Sequence, residues 1–247
     1  MNPIVIIPAR MASTRLPGKP LAMIGGRPMI LHVLERARAA DIGPVVVAVA
    51  EPELARVVDD AGGRAVLTDP ALPSGSDRVW HALATVDPDG RHDVVLNLQG
   101  DLPGLVPETL AAALLPLADR AVDIGTLVAP IAEPGEAEAD SVVKVACAFA
   151  DGAPRAVARA LYFSRAAIPW GAGVLWHHVG IYAYRRAALA RFVALPEAPL
   201  EKREKLEQLR ALEAGMTIGC ARIAVAPFGV DTPADLERAR RILETVA

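Results

Sequence analysis

Short β-branched runs alternate along the first half of the chain with longer stretches of helical spacing. Ile4-Val5-Ile6-Ile7 is an unbroken apolar run, the mark of a strand covered on both faces in a parallel sheet. Met29, Ile30, Val33, Leu34 and Ala37 recur at intervals of three and four, with Glu35, Arg36 and Arg38 between them. That spacing predicts a helix with Pro28 as its first residue, ended by Gly43-Pro44. Residues 45–49 repeat the buried-strand pattern, residues 52–61 read as a helix, and Ala65-Val66-Leu67 as a third strand. A helix then opens at Pro73-Ser74-Gly75-Ser76-Asp77-Arg78, with Ser76 or Asp77 as its cap, and runs through Val79, Leu83 and Val86. Residues 93–98 form another central strand. This alternation predicts an α/β fold whose central sheet is mostly parallel, with right-handed crossovers.

The second half is less regular. A helix is expected at 107–118, a strand at 122–128, and antiparallel strands at 142–149 and 155–158 around an Asp151-Gly152 turn. In the strand 177–184, Val179, Ile181 and Ala183 share one face while His178, Gly180, Tyr182 and Tyr184 share the other. Adjacent His177 and His178 thus point to opposite faces and make a poor metal pair. Helices follow at 186–195 and 199–214, the latter with Glu207 and Arg210 one turn apart as a solvent-side ion pair. A strand at 218–225 leads to a last helix capped by Thr232, with Pro233 in its first position.

Composition narrows the class. At 247 residues, one domain, or one domain with a sizeable insertion, is expected. With 53% hydrophobic residues and a net charge of −3, the chain is neither disordered nor basic enough for nucleic acid. Any functional positive charge must be local. Cys147 and Cys220 have no spacing that points to zinc or a redox dithiol. No leader and no run of some 20 apolar residues is present, so a cytoplasmic protein with no membrane partner is expected.

Local positive charge is found between Pro8 and Pro20. Pro8 removes a ladder donor and Pro17-Gly18 imposes a turn, so the first strand is expected to give way there to a loop. Such a loop lies at the carboxyl end of a strand, where open α/β sheets bind ligands. It carries Arg10, Arg15 and Lys19, the hydroxyls of Ser13 and Thr14, and no acid, a set suited to a polyphosphate. Lys19 precedes Pro20 and not Ser or Thr, which excludes a Walker loop. Arg78, a cation in the first turn of a helix, opposes the helix dipole and calls for another role. Asp101 follows a central strand and suits Mg²⁺ shared with substrate phosphates, and Asp231 is a second such carboxylate.

Taken together, Pro8-Ala9-Arg10, Ser13-Thr14-Arg15-Leu16-Pro17-Gly18-Lys19-Pro20-Leu21, Gln99-Gly100-Asp101, Tyr162-Phe163-Ser164-Arg165, Ile168-Pro169-Trp170, His178-Val179-Gly180-Ile181-Tyr182, Leu206-Glu207-Gln208-Leu209-Arg210 and Gly229-Val230-Asp231-Thr232-Pro233 closely resemble the 3-deoxy-manno-octulosonate (Kdo) cytidylyltransferase family over nearly the whole chain. The resemblance implies a Rossmann-like nucleotidyltransferase fold with helices on both faces of the sheet and a smaller antiparallel insertion at about 142–184, used in a homodimer. It implies transfer of CMP from CTP to the anomeric hydroxyl of an acidic eight-carbon sugar, with Mg²⁺ held by Asp101 and Asp231. On the same basis Lys19, Asp101 and Arg15 are the catalytic set. Pro8, Ala9, Arg10, Ser13, Arg15, Lys19, Ser74, Gly75, Arg78 and Gln99 would bind the nucleotide, with Arg78 reading cytosine. Gln99, Arg165, His178, Tyr182, Glu207 and Gln208 would bind the sugar. No side chain stands out as a general base. An amino-substituted or other acidic sugar, or a non-catalytic CTP-binding role, are the alternatives. The chain departs from the family pattern in three places: Leu102 stands where an acid is usual, Val49-Ala50 lack the usual aspartate, and the segment 171–177 is short.

Overall fold

The structure is a computed structural model and describes residues 1–133, 135–149 and 157–244. Its strands are β1 (Pro3–Ala9), β2 (Met23–Ile24), β3 (Arg27–Pro28), β4 (Val45–Val49), β5 (Ala65–Leu67), β6 (Val94–Asn97), β7 (Ile124–Pro130), β8 (Lys144–Ala146), β9 (Val157–Arg159), β10 (Tyr162–Ser164), β11 (Trp176–Arg185) and β12 (Ile218–Arg222). The α-helices are α1 (Met29–Ala39), α2 (Pro52–Asp60), α3 (Gly75–Val86), α4 (Pro107–Ala112), α5 (Arg186–Ala194), α6 (Pro199–Glu204), α7 (Leu209–Glu213) and α8 (Pro233–Glu244). Two compact units are built from them, Met1–Leu110 with Pro227–Ala247, and Ala111–Ala226.

In the first unit β5, β4, β1 and β6 lie side by side in that order, all parallel. The α/β class and the parallel central strands are therefore as expected. Val5, Ile6, Ile7, Val46, Val47, Val49, Val95 and Leu96 are buried completely, which is why these strands read as continuous apolar runs. Ile30, Val33 and Leu34 of α1, Leu54 and Val58 of α2, and Val79 and Leu83 of α3 cover them.

Pro8 does not end β1, contrary to the expectation from sequence, because Ala9 still pairs with Val49. The reason is parity. Val5 donates to the Pro44 carbonyl on the β4 side, whereas the Ile6 carbonyl faces β6 and accepts from Leu98. Residue 8 therefore also faces β6, whose pairing stops at Ile6, and the missing N–H leaves no ladder bond unmade.

The C-terminal segment returns to this unit through a cluster of Ile24, Met29, Val230, Leu236 and Ala239. In the capping box of α8, Thr232 Oγ1 accepts from the Asp235 amide at 3.2 Å and Asp235 Oδ2 accepts from the Thr232 amide at 2.9 Å. The cap of α3 is Ser74, two or three residues earlier than expected, its Oγ accepting from the Asp77 amide at 3.2 Å.

The second unit carries β11, β7, β12 and β9 in that order, with β8 beside β11 and β10 beside β8. Here β7 is antiparallel to β11 and parallel to β12, so this sheet is mixed. The expected helix 199–214 is two helices. Lys205, with φ at 56°, sits in left-handed backbone after α6 and stops it. The expected Pro28 start lies one residue early, since Pro28 has extended ψ and α1 begins at Met29. The Asp151-Gly152 turn lies outside the described residues.

Candidate functional site

A cleft of about 380 Å³ lies at the carboxyl ends of β1 and β6. Its walls include Pro8, Ala9, Arg10, Ser13, Arg15 and Lys19 from the first turn, Ser74, Gly75 and Arg78 from α3, Gln99 and Asp101 after β6, and Asp231. Every residue expected to bind nucleotide or metal is thus brought to one place. The turn is closed by its own backbone: Gly18, with φ at 68°, donates to the Met11 carbonyl at 3.2 Å. Only a residue without Cβ adopts that φ without strain.

Lys19 occupies the centre. Its Nζ donates to Asp101 Oδ2 at 2.7 Å and to Asp231 Oδ1 at 2.9 Å, while Arg15 reaches Asp231 Oδ2 at 3.2 Å. One nitrogen touches both carboxylates, so the two oxygens are no farther apart than the sum of those distances. Burial alone pulls the Lys19 ammonium down, but Asp101 and then Asp231 outweigh it and leave its pKa above the ordinary lysine value. Asp231 is brought here by the Val230 amide, which donates to the Asp101 carbonyl at 2.9 Å. Close packing reinforces that link, since a Cβ on Gly104 would lie 2.4 Å from the Phe228 ring.

The donor set fits a divalent cation. Two converging carboxylates already hold one positive charge, and a hard cation with one or two protein carboxylates completes its shell from phosphate oxygens and water. Among the described residues no group of three or more His, Cys, Asp or Glu converges, here or elsewhere, so a cation at this pair would take most of its shell from phosphate and water.

Arg78 is only 2% exposed. Its NH1 donates to Thr68 Oγ1 and, at 3.4 Å, to the Asp69 carbonyl, while its NH2 has no partner among the described residues. Burial and the nearby Arg10 lower its pKa, against the opposing pull of Glu51 and Asp69. Sequence reasoning missed Glu51. It accepts the Met11 amide at 3.0 Å and so ties the cationic turn to the end of β4. The one hint in the sequence was weak: Glu51 stands two residues beyond a parallel strand, at its carboxyl end.

The remaining expected residues lie in the second unit. His178 is buried, contacts Thr126 Oγ1 at 3.0 Å, and is held to a pKa of about 3 by burial and by His177. The Tyr182 ring lies tilted against it with centroids 5.5 Å apart, and burial pushes its phenol well up. The Arg165 guanidinium donates to the carbonyls of Glu204 and Asp140, both at 2.8 Å, so its charge is not cancelled by those partners. Gln208 is buried with its Nε2 unpartnered among the described residues. Arg210 is not part of a solvent-side pair: it is buried and forks onto Glu201 at 2.6 and 2.8 Å.

Residues 4–218 match the family model described as Cytidylyltransferase. A 3-deoxy-manno-octulosonate cytidylyltransferase of Rhodospirillum centenum is 63% identical over 98% of this chain and 94% of its own length. One of Methylobacterium radiotolerans is 62% identical over 98% of this chain and 97% of its own. The solved structure of CMP:2-keto-3-deoxy-manno-octonic acid synthetase complexed with CTP covers all of both chains with a TM-score of 0.90 and 39% identity. The chain belongs to the cytidylyltransferase family, among the 3-deoxy-manno-octulosonate cytidylyltransferases.

Proposed function

We propose that the protein transfers CMP from CTP to the anomeric hydroxyl of Kdo and releases pyrophosphate, in the cytoplasm, for lipopolysaccharide synthesis. The observation that carries this reading is the cluster of Lys19, Asp101, Asp231 and Arg15 in a cleft walled by further cations. An alcohol must approach the α-phosphorus in line while negative charge gathers on the leaving pyrophosphate. Most of the catalysis is then positioning and charge neutralisation.

Arg10, Arg15 and Lys19 bind the triphosphate and take up charge on the leaving group, with Ser13 and the backbone of Pro8 and Ala9 beside them. Arg78, with Ser74 and Gly75, reads the cytosine. Asp101 and Asp231 would hold Mg²⁺, which would supply Lewis-acid polarisation of phosphate and hydroxyl oxygens. The Lys19 ammonium, held here by the same two carboxylates, would bind phosphate oxygens when they hold the ion. Gln99, Arg165, His178, Tyr182, Glu207 and Gln208 recognise the sugar acid, with Arg165 as the cation for its carboxylate. His178 does so as a neutral ring at any physiological pH.

The working form is a homodimer joined through the segment 142–184. Trp170, 100% exposed, with exposed Leu161 and Val174, supports a self-association surface there. Sedimentation equilibrium is expected to give a dimer that Trp170→Ser weakens; a monomer at micromolar concentration would refute the assembly.

The test of function is the purified protein with CTP, Mg²⁺ and Kdo. Equimolar pyrophosphate and CMP-Kdo are expected. Transfer only to an amino-substituted or other acidic sugar would change the acceptor, and CTP binding without pyrophosphate release for any acid would make the protein a nucleotide sensor.

A further inference from the structure

Thr126 and His178 meet where the sheet of the second unit is irregular. The register of β11 on β7 shifts between Val179 and Tyr182, leaving Gly180 and Ile181 between two paired stretches. Thr126, fully buried on β7, turns its hydroxyl to that break. Its Oγ1 lies 2.9 Å from the Ile181 carbonyl oxygen, 3.2 Å from that of Val179 and 3.0 Å from Nε2 of His178. A hydroxyl has one proton to donate, and carbonyl oxygens only accept. The proton therefore goes to the carbonyls, and the third contact is favourable only with Nε2 as the donor. The opposite arrangement gives the proton to the ring and leaves two carbonyls facing an oxygen lone pair, a costly state for buried acceptors. Two aromatic rings restrict rotation of the imidazole away from this contact. Phe163 lies edge-on to it with centroids 5.0 Å apart, and Tyr182 flanks it as well. Burial keeps a second proton off the ring, so Nδ1 carries a lone pair. Among the described residues the ring's one hydrogen bond is that to Thr126.

We propose that Thr126 is a positioning residue for the acceptor sugar: it fixes His178 as the Nε2–H tautomer, so that Nδ1 accepts a hydroxyl of the sugar and not its carboxylate. This rests on the reading of His178 as a sugar-binding residue. The two ring nitrogens are distinct, and the partner of one decides what the other offers. A bare Nδ1 takes a hydroxyl proton and repels an anion, whereas a protonated Nδ1 does the reverse. The carboxylate is thereby left to the Arg165 guanidinium, which bonds to the carbonyls of Asp140, Glu204 and Lys205. One position takes the anion and the other takes a neutral hydroxyl, so the sugar acid has one orientation in which both are satisfied. The hydroxyl of Thr126 sets that orientation without touching the sugar.

The experiment is a nitrogen–proton correlation spectrum of the intact protein carrying isotope-labelled histidine at neutral pH, with the His178 signals assigned through His178→Gln. Steady-state KM values for Kdo and for CTP are measured alongside. In the wild type Nε2 is expected to be protonated and Nδ1 bare. Thr126→Val, close in shape but without the hydroxyl, is expected to lose the hydrogen-bonded Nε2–H signal. Its KM for Kdo is expected to rise about tenfold, the upper range for one neutral hydrogen bond, with the KM for CTP unchanged. Thr126→Ser keeps the hydroxyl and is expected to restore both. A protonated Nδ1 in the wild type would overturn the proposal, and that spectrum needs no variant to fold. So would a Thr126→Val enzyme that keeps the wild-type KM for Kdo while His178→Gln raises it, or equal rises for Kdo and CTP. An unchanged KM for Kdo in His178→Gln would instead overturn the reading of His178 as a sugar-binding residue.

Discussion

Lys19 is held between Asp101 and Asp231 at hydrogen-bond distance from both. The two carboxylates are close enough to share a cation, and a neutral partner in place of either halves the attraction for a divalent ion. Asp101→Asn is isosteric and is expected to leave the fold intact while lowering turnover at least about a hundredfold, the scale of losing metal-assisted charge stabilisation. Steady-state rates against Mg²⁺ concentration check this, and wild-type rates at limiting Mg²⁺ would contradict it. Lys19→Ala is expected to raise the KM for CTP and slow pyrophosphate release; unchanged values of both would remove Lys19 from the phosphates. His178 gives a different kind of prediction. With a folded-state pKa near 3 against an ordinary value of 6.5, the unfolded chain binds the extra proton as pH falls between those values. Stability due to this residue is therefore whole above pH 6.5 and lost progressively below it, with a slope of at most about 1.4 kcal/mol per pH unit. His178→Gln is expected to flatten the acid limb of a urea-denaturation series, and an unaltered limb would mean that His178 is solvated. These residues were legible in the sequence because each broke a local rule: a basic turn with no acid, an arginine in a first turn, aspartates after strands. Glu51 broke none. An acid ahead of a helix is an ordinary cap, and only the fold shows it bonding a residue 40 positions away.

Among the elements, α8 carries the clearest consequence. Its capping box fixes the backbone of residues 231–235, and with it the carboxylate of Asp231. Thr232→Ala is expected to cost about 1 kcal/mol, roughly 2–4 °C in Tm, and to weaken Mg²⁺ dependence as well, because the cap and the ligand are neighbours in sequence. Calorimetry and Mg²⁺ titration test the two effects separately. The strands of the first unit were legible because they are buried on both faces, which writes a continuous apolar run into the sequence. Element ends were less so. Whether Pro8 ends β1 depends on which neighbour its missing N–H would face, a question of sheet parity that the chain alone does not answer. The break between α6 and α7 was hidden for a similar reason: left-handed backbone at a lysine is set by tertiary packing and leaves no glycine to mark it.

For the whole molecule, the parallel α/β core and the convergence of Asp101 and Asp231 followed from strand ends and one motif set. The division into two units did not, because no shift in composition marks it. The central claim is that a cationic turn near the start of the chain and two aspartates, 130 positions apart, make one site for a nucleoside triphosphate and a divalent ion. Mn²⁺ binding, followed by electron paramagnetic resonance in the presence of CTP, tests this most directly. Wild-type protein is expected to bind the ion with phosphorus hyperfine coupling, and Asp101→Asn and Asp231→Asn are each expected to weaken it by at least about tenfold. Unchanged Mn²⁺ affinity in either variant would contradict the shared site.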